Sequence, residues 1–283
     1  MPGALVAITF AAAVVNGALG YGFSSITVPL ALFFLTNRIL NPALVPVEVA
    51  LNAYVVWSNR AAIPRIAPRV QTVVVGLLPG VLAGTALVSR VSPAWLKLTT
   101  FAALLPLVML QAAGYRRPVR SERAAGFAFG GGIGLLYAVT TISGPPLAVA
   151  LNNQGLSKEE FRAALGLVRV AESMMTLVAY AVAGLFSRES LALIPSMLPS
   201  LAIGVPLGAA VVRRVDAETF RRVCMSFDAW IVAFGIATLL RELRVVPGAI
   251  ADLVVLAVIV LDAALLYRFF TRASGANNRV GRA

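Results

Sequence analysis

Apolar residues run through this chain in long blocks, separated by short polar segments, without the alternation typical of β-strands. Seven blocks approach the roughly 20 residues that a helix needs to cross the hydrocarbon core of a bilayer. Leu, Ala and Val dominate them, and lipid does not tolerate an open sheet edge, so helices are favoured over barrel strands. We predict membrane-spanning helices at about 43–58, 70–89, 94–114, 163–186, 190–212, 223–240 and 245–267.

Two further apolar segments do not fit a single straight span. Residues 1–37 carry no charge and are interrupted by GALGYGFSSITVP, and the 34 uncharged residues between Arg123 and Lys158 are interrupted by TTISGPP. A continuous helix of the second length would extend about 51 Å, against a hydrocarbon core of about 30 Å. Each segment is therefore predicted to be a re-entrant hairpin of two half-helices, the alternative being one long, tilted, proline-kinked helix.

The two halves of the chain resemble each other. Residues 80–97 and 204–221 are identical at seven of eighteen positions, including Gly80 with Gly204, where chance predicts about one. A duplication of this size in an apolar chain is typical of transporters, although other polytopic proteins also contain internal repeats.

The distribution of Lys and Arg predicts the orientation of the repeats. If both hairpins return to the side they entered from, one side holds 17 basic residues and the other holds six, as the positive-inside rule requires for a basic cytoplasmic side. The 17 lie in predicted loops at 60–69, 115–123, 158–162 and 213–222 and in the C-terminal tail. Three membrane crossings then separate each loop of the first repeat from the equivalent loop of the second. Because that number is odd, equivalent loops lie on opposite sides of the membrane and the repeats are inverted. We predict an all-α polytopic membrane protein with two inverted repeats, each a re-entrant broken-helix hairpin plus three transmembrane helices, and one extra C-terminal transmembrane helix. The predicted divisions are a first repeat at 1–114, a basic cytoplasmic linker at 115–123, a second repeat at 124–243, and a final helix with a basic tail at 244–283.

Composition excludes several classes of protein. The chain is 59% hydrophobic and 13% charged, which is too little polar surface for a soluble globule of 283 residues. Its net charge of +12 lies in short segments between apolar blocks, so we predict a lipid bilayer and no nucleic acid as partner. With no histidine and one cysteine, Cys224, the chain lacks the residues of a Ser-His hydrolase or a His/Cys metal site, and no cofactor or metal is expected.

The breaks in the two apolar segments are candidate anion sites. A half-helix that begins inside a membrane presents backbone N–H groups and a partial positive charge that lipid cannot satisfy. Proline suits the first helical turn and small hydroxyl residues cap it, so each break is expected to precede a helix start, with Pro29 and Pro145 in the first turns. The alternative is that these hydroxyls only cap the helices or bond to neighbours. The candidate substrate ligands at the breaks are Ser24, Ser25, Thr27, Thr140, Thr141, Ser143 and Gly144.

Charged residues within the spans extend the candidate site. Arg169 and Glu172 lie one turn apart, and either alone is costly in lipid. We expect Arg169 to bind an anionic substrate and Glu172 to orient it or carry a proton, the alternative being an ion pair that only holds the helices together. Aligning the PLA tripeptides at 29 and 146 places Asn52 opposite Arg169, and Glu48, one turn before Asn52, is a second candidate for proton coupling or for packing.

The remaining polar residues of the spans are given lesser roles. Asp228 and Asp262 lie in spans without breaks and are predicted to serve helix packing. Asn152 and Asn153 end the second hairpin and are expected to line its vestibule.

The glycine-rich tracts GALGYG at 17–22 and GGGIG at 130–134, each followed about a dozen residues later by Pro-Leu, resemble those of the TauE/SafE sulfite exporter family, also called the 4-toluene sulfonate uptake permeases. The two similar halves joined by a basic segment extend the resemblance over nearly the whole chain. Tyr21 and Phe23 depart from the tighter glycine pattern of that family, which leaves substrate size open. The resemblance implies a multi-pass protein of the bacterial cytoplasmic membrane that moves small sulfur-containing anions such as sulfite, thiosulfate, sulfoacetate or other sulfonates.

These observations predict a secondary transporter, and not an enzyme, that works by alternating access and is coupled to protons, since no nucleotide-binding motif is present to drive it. Its partners are then a small anionic substrate and protons. A passive anion channel of the same fold, a membrane enzyme and an assembly factor remain alternatives. The direction of transport and the formation of a homodimer are left open by the sequence.

Overall fold

Helices make up all regular structure in the part of the chain that is described. A computed structural model describes residues 2–112, 123–151, 156–211 and 217–280, and within these ranges one 3₁₀ turn at Arg60–Ala62 accompanies eleven α-helices. The first five are α1 Pro2–Leu19, α2 Phe23–Ala31, α3 Asn37–Ser58, α4 Ile63–Arg90 and α5 Pro93–Ala112. The others are α6 Arg123–Thr140, α7 Gly144–Leu151, α8 Lys158–Val182, α9 Arg188–Val211, α10 Ala217–Glu242 and α11 Gly248–Val280.

Six of these helices are long and apolar enough to cross a membrane, counting only described residues: Asn37–Ser58, Arg60–Arg90, Glu159–Val182, Arg188–Val211, Arg222–Glu242 and Gly248–Thr271. They coincide with six of the seven predicted spans, and the remaining prediction, 94–114, falls on the 20-residue helix α5. The predicted class, an all-helical multi-pass membrane protein, is confirmed for the described residues.

Basic segments that the sequence suggested were loops are partly helical. Residues 60–69 form the 3₁₀ turn and the beginning of α4, and Arg222, counted among the cytoplasmic loop residues, lies buried in α10. Most of the predicted linker at 115–123, together with Asn152 and Asn153, lies outside the described residues.

Both predicted breaks are present, and they have related backbone geometry. After α1, Gly20 and Gly22 adopt φ angles of 84° and 109°, and after α6 Thr141 adopts a φ of 57°. The amide of Gly20 donates to the Asn16 carbonyl (2.7 Å), as that of Thr141 does to the Tyr137 carbonyl (2.6 Å). A left-handed conformation is strained for a β-branched residue such as Thr141, so the surrounding structure must hold it there.

The first break differs from the prediction in where its second helix begins. Helix α2 begins at Phe23, so Ser24 and Ser25 lie in its first turn, and Pro29 lies inside the helix rather than at its start. Gly22, the residue before α2, adopts the left-handed conformation. The helix therefore begins directly after this glycine and needs no proline in its first turn. At the second break, α7 begins at Gly144 with prolines in its first turn, as predicted.

The two halves pack by exchanging their first helices. Helix α1 packs along α9, and α6 packs along α4. In both pairs glycines allow backbone contact, since a methyl group on Gly80 would lie 1.9 Å from the Gly131 carbonyl oxygen of α6 and one on Gly208 would lie 1.9 Å from the Val14 carbonyl oxygen of α1. Successive contacts advance in the same direction along the two helices of each pair, so each pair is parallel.

After the second break the chain turns back. Ala150 and Leu151, at the end of α7, line the same small cavity as Ala125 and Gly126 near the beginning of α6. The side chains of Leu147 and Leu151 belong to a hydrophobic core cluster with α4 and α8. The end of α7 and the beginning of α6 therefore border the same cavity, on one side of the break at Thr141.

Helices α3 and α8 cross at the centre of the molecule, where Gly166 of α8 lies against Val55 and Val56 of α3. Features of the two halves recur at one spacing, since Gly20 and Thr141, the first residues of α2 and α7, and the first residues of α3 and α8 are each 121 positions apart. At this spacing the counterpart of Arg169 is Glu48, and not Asn52 as the tripeptide alignment suggested.

Candidate functional site

The two breaks lie against each other in the interior. A methyl group on Gly144, the first residue of α7, would lie 3.2 Å from the Cβ atom of Tyr21 in the first break. The α2 serines and Ser143, just before α7, are at most 3% exposed. The beginnings of the two half-helices are thus brought together in a region closed to solvent.

An ion pair joins the two halves beside the breaks. The Arg169 Nη2 atom of α8 lies 2.8 Å from the Glu48 Oε1 atom of α3, and both side chains are buried. The same carboxylate oxygen accepts a hydrogen bond from the Ser24 hydroxyl of α2 at 2.5 Å. One carboxylate oxygen therefore binds a half-helix of the first segment and a long helix of the second.

The second break has a matching contact. The hydroxyl of Ser143 donates a hydrogen bond to Glu172 Oε1 on α8. Glu172 also interacts electrostatically with Arg169 and with Glu48. Glu172 and Arg169 lie one helical turn apart, as expected, but the direct ion pair of Arg169 is made with Glu48.

Several polar atoms of this cluster have no hydrogen-bond partner within the protein although they are buried: Glu48 Oε2, Glu172 Oε2 and Arg169 Nε. Leaving such a group unpaired costs about 1–3 kcal/mol, and more for a charged one. A polar ligand between α3, α8 and the breaks would offset that cost, so the cluster is suited to binding as well as to packing.

Tyr137 is a member of the site that sequence reasoning missed. It lies four residues before Thr141 on α6, is fully buried, and interacts electrostatically with both glutamates and with Arg169. Its hydroxyl faces Glu48 without a hydrogen bond of normal geometry. Its position one turn before the break was a usable signal, because that turn of α6 must face the same interior.

The threonines of the second break support the backbone. Thr140 donates to the Leu136 carbonyl at 2.7 Å and accepts from the Ile142 amide at 3.0 Å, while Thr141 donates to the Thr140 carbonyl at 2.7 Å. These bonds fix the left-handed turn at Thr141. The other predicted ligands, Ser25, Thr27 and Asn52, are buried, and both the Thr27 hydroxyl and the Asn52 amide nitrogen are unpartnered within the protein.

A second buried ion pair lies elsewhere, between α10 and α11. Arg222 Nη2 is 3.0 Å from Asp262 Oδ1, which also accepts a hydrogen bond from Ser226 at 3.2 Å. Asp228 is buried too, and neither of its carboxylate oxygens has a hydrogen-bond partner within the protein. No break in a helix accompanies this pair, which connects the last helix to the rest of the molecule.

Among the described residues, no group of three or more His, Cys, Asp or Glu side chains is arranged to hold a metal ion. The predicted absence of a cofactor stays a prediction. The chemistry that the site offers is that of one guanidinium, two carboxylates and a set of hydroxyls.

Comparison with known proteins identifies the family. Residues 5–235 match the family described as Sulfite exporter TauE/SafE, a range that contains both breaks, both glutamates of the site and Arg169. Searches of curated proteins and of solved structures give no significant match. Since the family match covers most of the chain, this protein belongs to the TauE/SafE sulfite exporter family.

Proposed function

We propose that this protein is a secondary transporter that moves a small sulfur-containing oxyanion, such as sulfite, thiosulfate, sulfoacetate or another sulfonate, across the cytoplasmic membrane. Membership of the TauE/SafE family points to membrane transport of sulfur anions, and the apolar helices place the chain in a bilayer. A transport protein of this kind needs no catalytic residues, and we assign none.

The observation that carries the proposal is the buried Arg169 at the meeting point of the two breaks. A guanidinium presents several N–H donors in a fixed plane, which matches the oxygens of a sulfonate or sulfite. The first turns of α2 and α7 begin beside it, and helix N-termini favour negative charge. In the proposed site Arg169 binds the anion, with Ser24, Ser25, Thr27, Asn52, Thr140, Thr141, Ser143 and Gly144 around it.

Alternating access of two inverted repeats is the proposed mechanism. The exchange of α1 and α6 between the halves, in parallel pairs with α9 and α4, supports a repeat relation in which each half closes against the other. The return of α7 toward the beginning of α6 supports a re-entrant hairpin. Rocking one half against the other would expose the buried site to either side in turn.

Proton coupling is the proposed drive. A cell interior at negative potential expels anions with about 2.3 kcal/mol per charge per 100 mV, so accumulation of an anion needs a coupled cation. Glu48 and Glu172 are the proposed proton carriers, since both are buried beside Arg169.

The anion site is tested with Arg169→Ala. Purified wild type should be stabilised in a thermal-shift titration by at least one of sulfite, thiosulfate and sulfoacetate, and Arg169→Ala should show no such shift. Arg60→Ala, which removes an exposed arginine that stacks on Trp57, is the matched control and should bind as the wild type does. Undiminished binding by folded Arg169→Ala would refute the assignment.

The topology is tested by labelling single cysteines in a background where Cys224 is serine. Thr36 follows the first hairpin and the exposed Glu159 follows the second. Re-entrant hairpins in inverted repeats place Thr36→Cys and Glu159→Cys on opposite faces of the membrane, so that an impermeant thiol reagent added to one side labels only one of them. Labelling of both from the same side would instead indicate that the broken segments cross the membrane.

A further inference from the structure

A serine hydroxyl at the beginning of each half-helix donates to one of the protein's own carboxylates. Ser24, in the first turn of α2, donates to Glu48, and Ser143, which directly precedes α7, donates to Glu172. A carboxylate at the N-terminus of a helix makes the contacts that a bound oxyanion would make. Each of these two candidate anion positions therefore already contains an oxyanion.

The guanidinium is engaged in the same way. Arg169 binds the same Glu48 oxygen that accepts the Ser24 hydrogen bond, at 2.8 Å. With both glutamates ionised, the cluster already carries one more negative than positive charge. A further anion beside Arg169 would be repelled by both carboxylates in a region of low dielectric.

We propose that the carboxylate of Glu48 competes with the substrate anion for Arg169 and Ser24, and that a proton on Glu48 releases both for the substrate. This inference rests on the proposed function. A neutral Glu48 loses most of its attraction to the guanidinium and gains an O–H group that can donate to the anion. The proton comes from the aqueous side to which the site is open and leaves to the side where the anion is released.

Glu48 is assigned this role rather than Glu172 because of its position. It contacts Arg169 directly across the two halves, and the two residues are counterparts at the spacing that relates the half-helices. The groups that face it are Arg169 and Glu172 on α8, Tyr137 on α6 and Ser24 on α2. Arg169 is the one cation among these groups, so the Glu48 carboxylate and the substrate anion share a single counter-charge.

The direction of coupling follows from this competition. The empty site contains neither proton nor anion, with Glu48 bound to Arg169, and the loaded site contains both. Proton and anion are then taken up together and released together, so the cycle is a symport.

The test is anion binding as a function of pH, with thiosulfate and sulfoacetate as probes because both stay fully ionised from mildly acidic to mildly alkaline pH. Above the pH at which the site is fully protonated, the wild-type Kd should rise about tenfold per pH unit, as expected when one proton is taken up with each anion. Glu48→Gln keeps a carbonyl oxygen for Ser24 and Arg169 but cannot ionise. Its Kd should be independent of pH and equal to the wild-type value at acidic pH.

Asp262→Asn is the matched control, because it neutralises the carboxylate of the other buried ion pair. Its pH dependence should follow the wild type. Glu48→Asp has a shorter side chain that still ionises, so its anion binding should retain the pH dependence. If Glu48→Gln does not fold, Glu48→Asp shows whether position 48 tolerates a substitution. A wild-type pH dependence that persists in Glu48→Gln would overturn the inference, as would a folded Glu48→Gln that binds neither probe.

Transport gives a second readout. In proteoliposomes, Glu48→Gln should exchange labelled anion for unlabelled anion but should not accumulate it in response to a pH gradient. Accumulation by Glu48→Gln at the wild-type level would contradict the inference. If the wild type binds no sulfur anion at any pH, it is the proposed function that fails.

Discussion

Two buried ion pairs within the described residues have similar chemistry and different surroundings. Arg169 and Glu48 join the two long central helices, and their carboxylate also holds a half-helix that begins at a break. Arg222 and Asp262 join α10 and α11, neither of which contains a break. Burial of a charged pair is therefore not enough to indicate a binding site. What distinguishes the first pair is the presence of helix N-termini, which add donors for an anion.

The largest difference is expected when both members of each pair are made apolar. Arg169→Met with Glu48→Leu should abolish anion binding, because two charge-assisted hydrogen bonds worth roughly 3–6 kcal/mol in total are lost, a rise in Kd of at least about a hundredfold. Arg222→Met with Asp262→Leu should leave the Kd unchanged. Isothermal titration calorimetry with the preferred anion measures the Kd of both double variants. Equal increases in Kd would show that the two ion pairs do not differ in their importance for anion binding.

The next effect concerns stability. Arg222→Ala leaves Asp262 buried without its partner and should lower the free energy of unfolding by about 3–5 kcal/mol. Arg222→Met with Asp262→Leu should recover most of that loss, since no unpaired charge remains. Denaturant unfolding in detergent checks this prediction. A double variant no more stable than Arg222→Ala would show that the pair stabilises through contacts other than charge.

A smaller effect is expected from the serines. Ser143→Ala removes a hydroxyl that is proposed to donate to the anion at the second break, and it should weaken anion binding by about tenfold, corresponding to about 1.5 kcal/mol. Ser226→Ala removes a hydrogen bond to Asp262 and should not change the Kd. The measurement is the Kd of the same anion at one pH. A tenfold weaker anion affinity of Ser226→Ala would show that the ion pair of Arg222 and Asp262 influences the anion site.

The smallest effect is expected at Tyr137. Tyr137→Phe keeps the buried ring and removes a hydroxyl that has no hydrogen-bond partner in the protein, so the unfolding free energy should change by less than about 1 kcal/mol. If the hydroxyl reaches the anion, the Kd should rise a few-fold. An unchanged Kd would confine Tyr137 to packing.

Much of the helical architecture could be predicted from the sequence. The spans at 43–58 and 190–212 fall within α3 and α9 almost completely, because an apolar block of that length has few other solutions in lipid. The breaks were predictable because glycine and proline interrupt helices for reasons local to the backbone. The start of α2 was placed too late, since Pro29 is accommodated inside that helix.

The partners of the buried charges were less predictable. Sequence spacing suggested Glu172 as the partner of Arg169, since residues one turn apart share a helix face. The structure pairs Arg169 with Glu48, which is 121 positions away, and adds Tyr137 from a third helix. It also places Arg222, which the sequence assigned to a cytoplasmic loop, beside Asp262. Contacts between distant segments depend on helix rotation and register, which neither spacing nor composition contains.

The sequence by itself determined that this protein lies in a lipid bilayer, and it determined the number and approximate length of the helices and the two interrupted segments, because these features depend on local composition. The internal repeat was found by comparing the sequence with itself. The tertiary structure alone decided that the two breaks touch and that Arg169 binds the carboxylate of the other half. The physical reason is packing. Glycines on α4 and α9 let α6 and α1 approach to backbone contact, and that close approach fixes where the half-helices begin relative to the central pair α3 and α8.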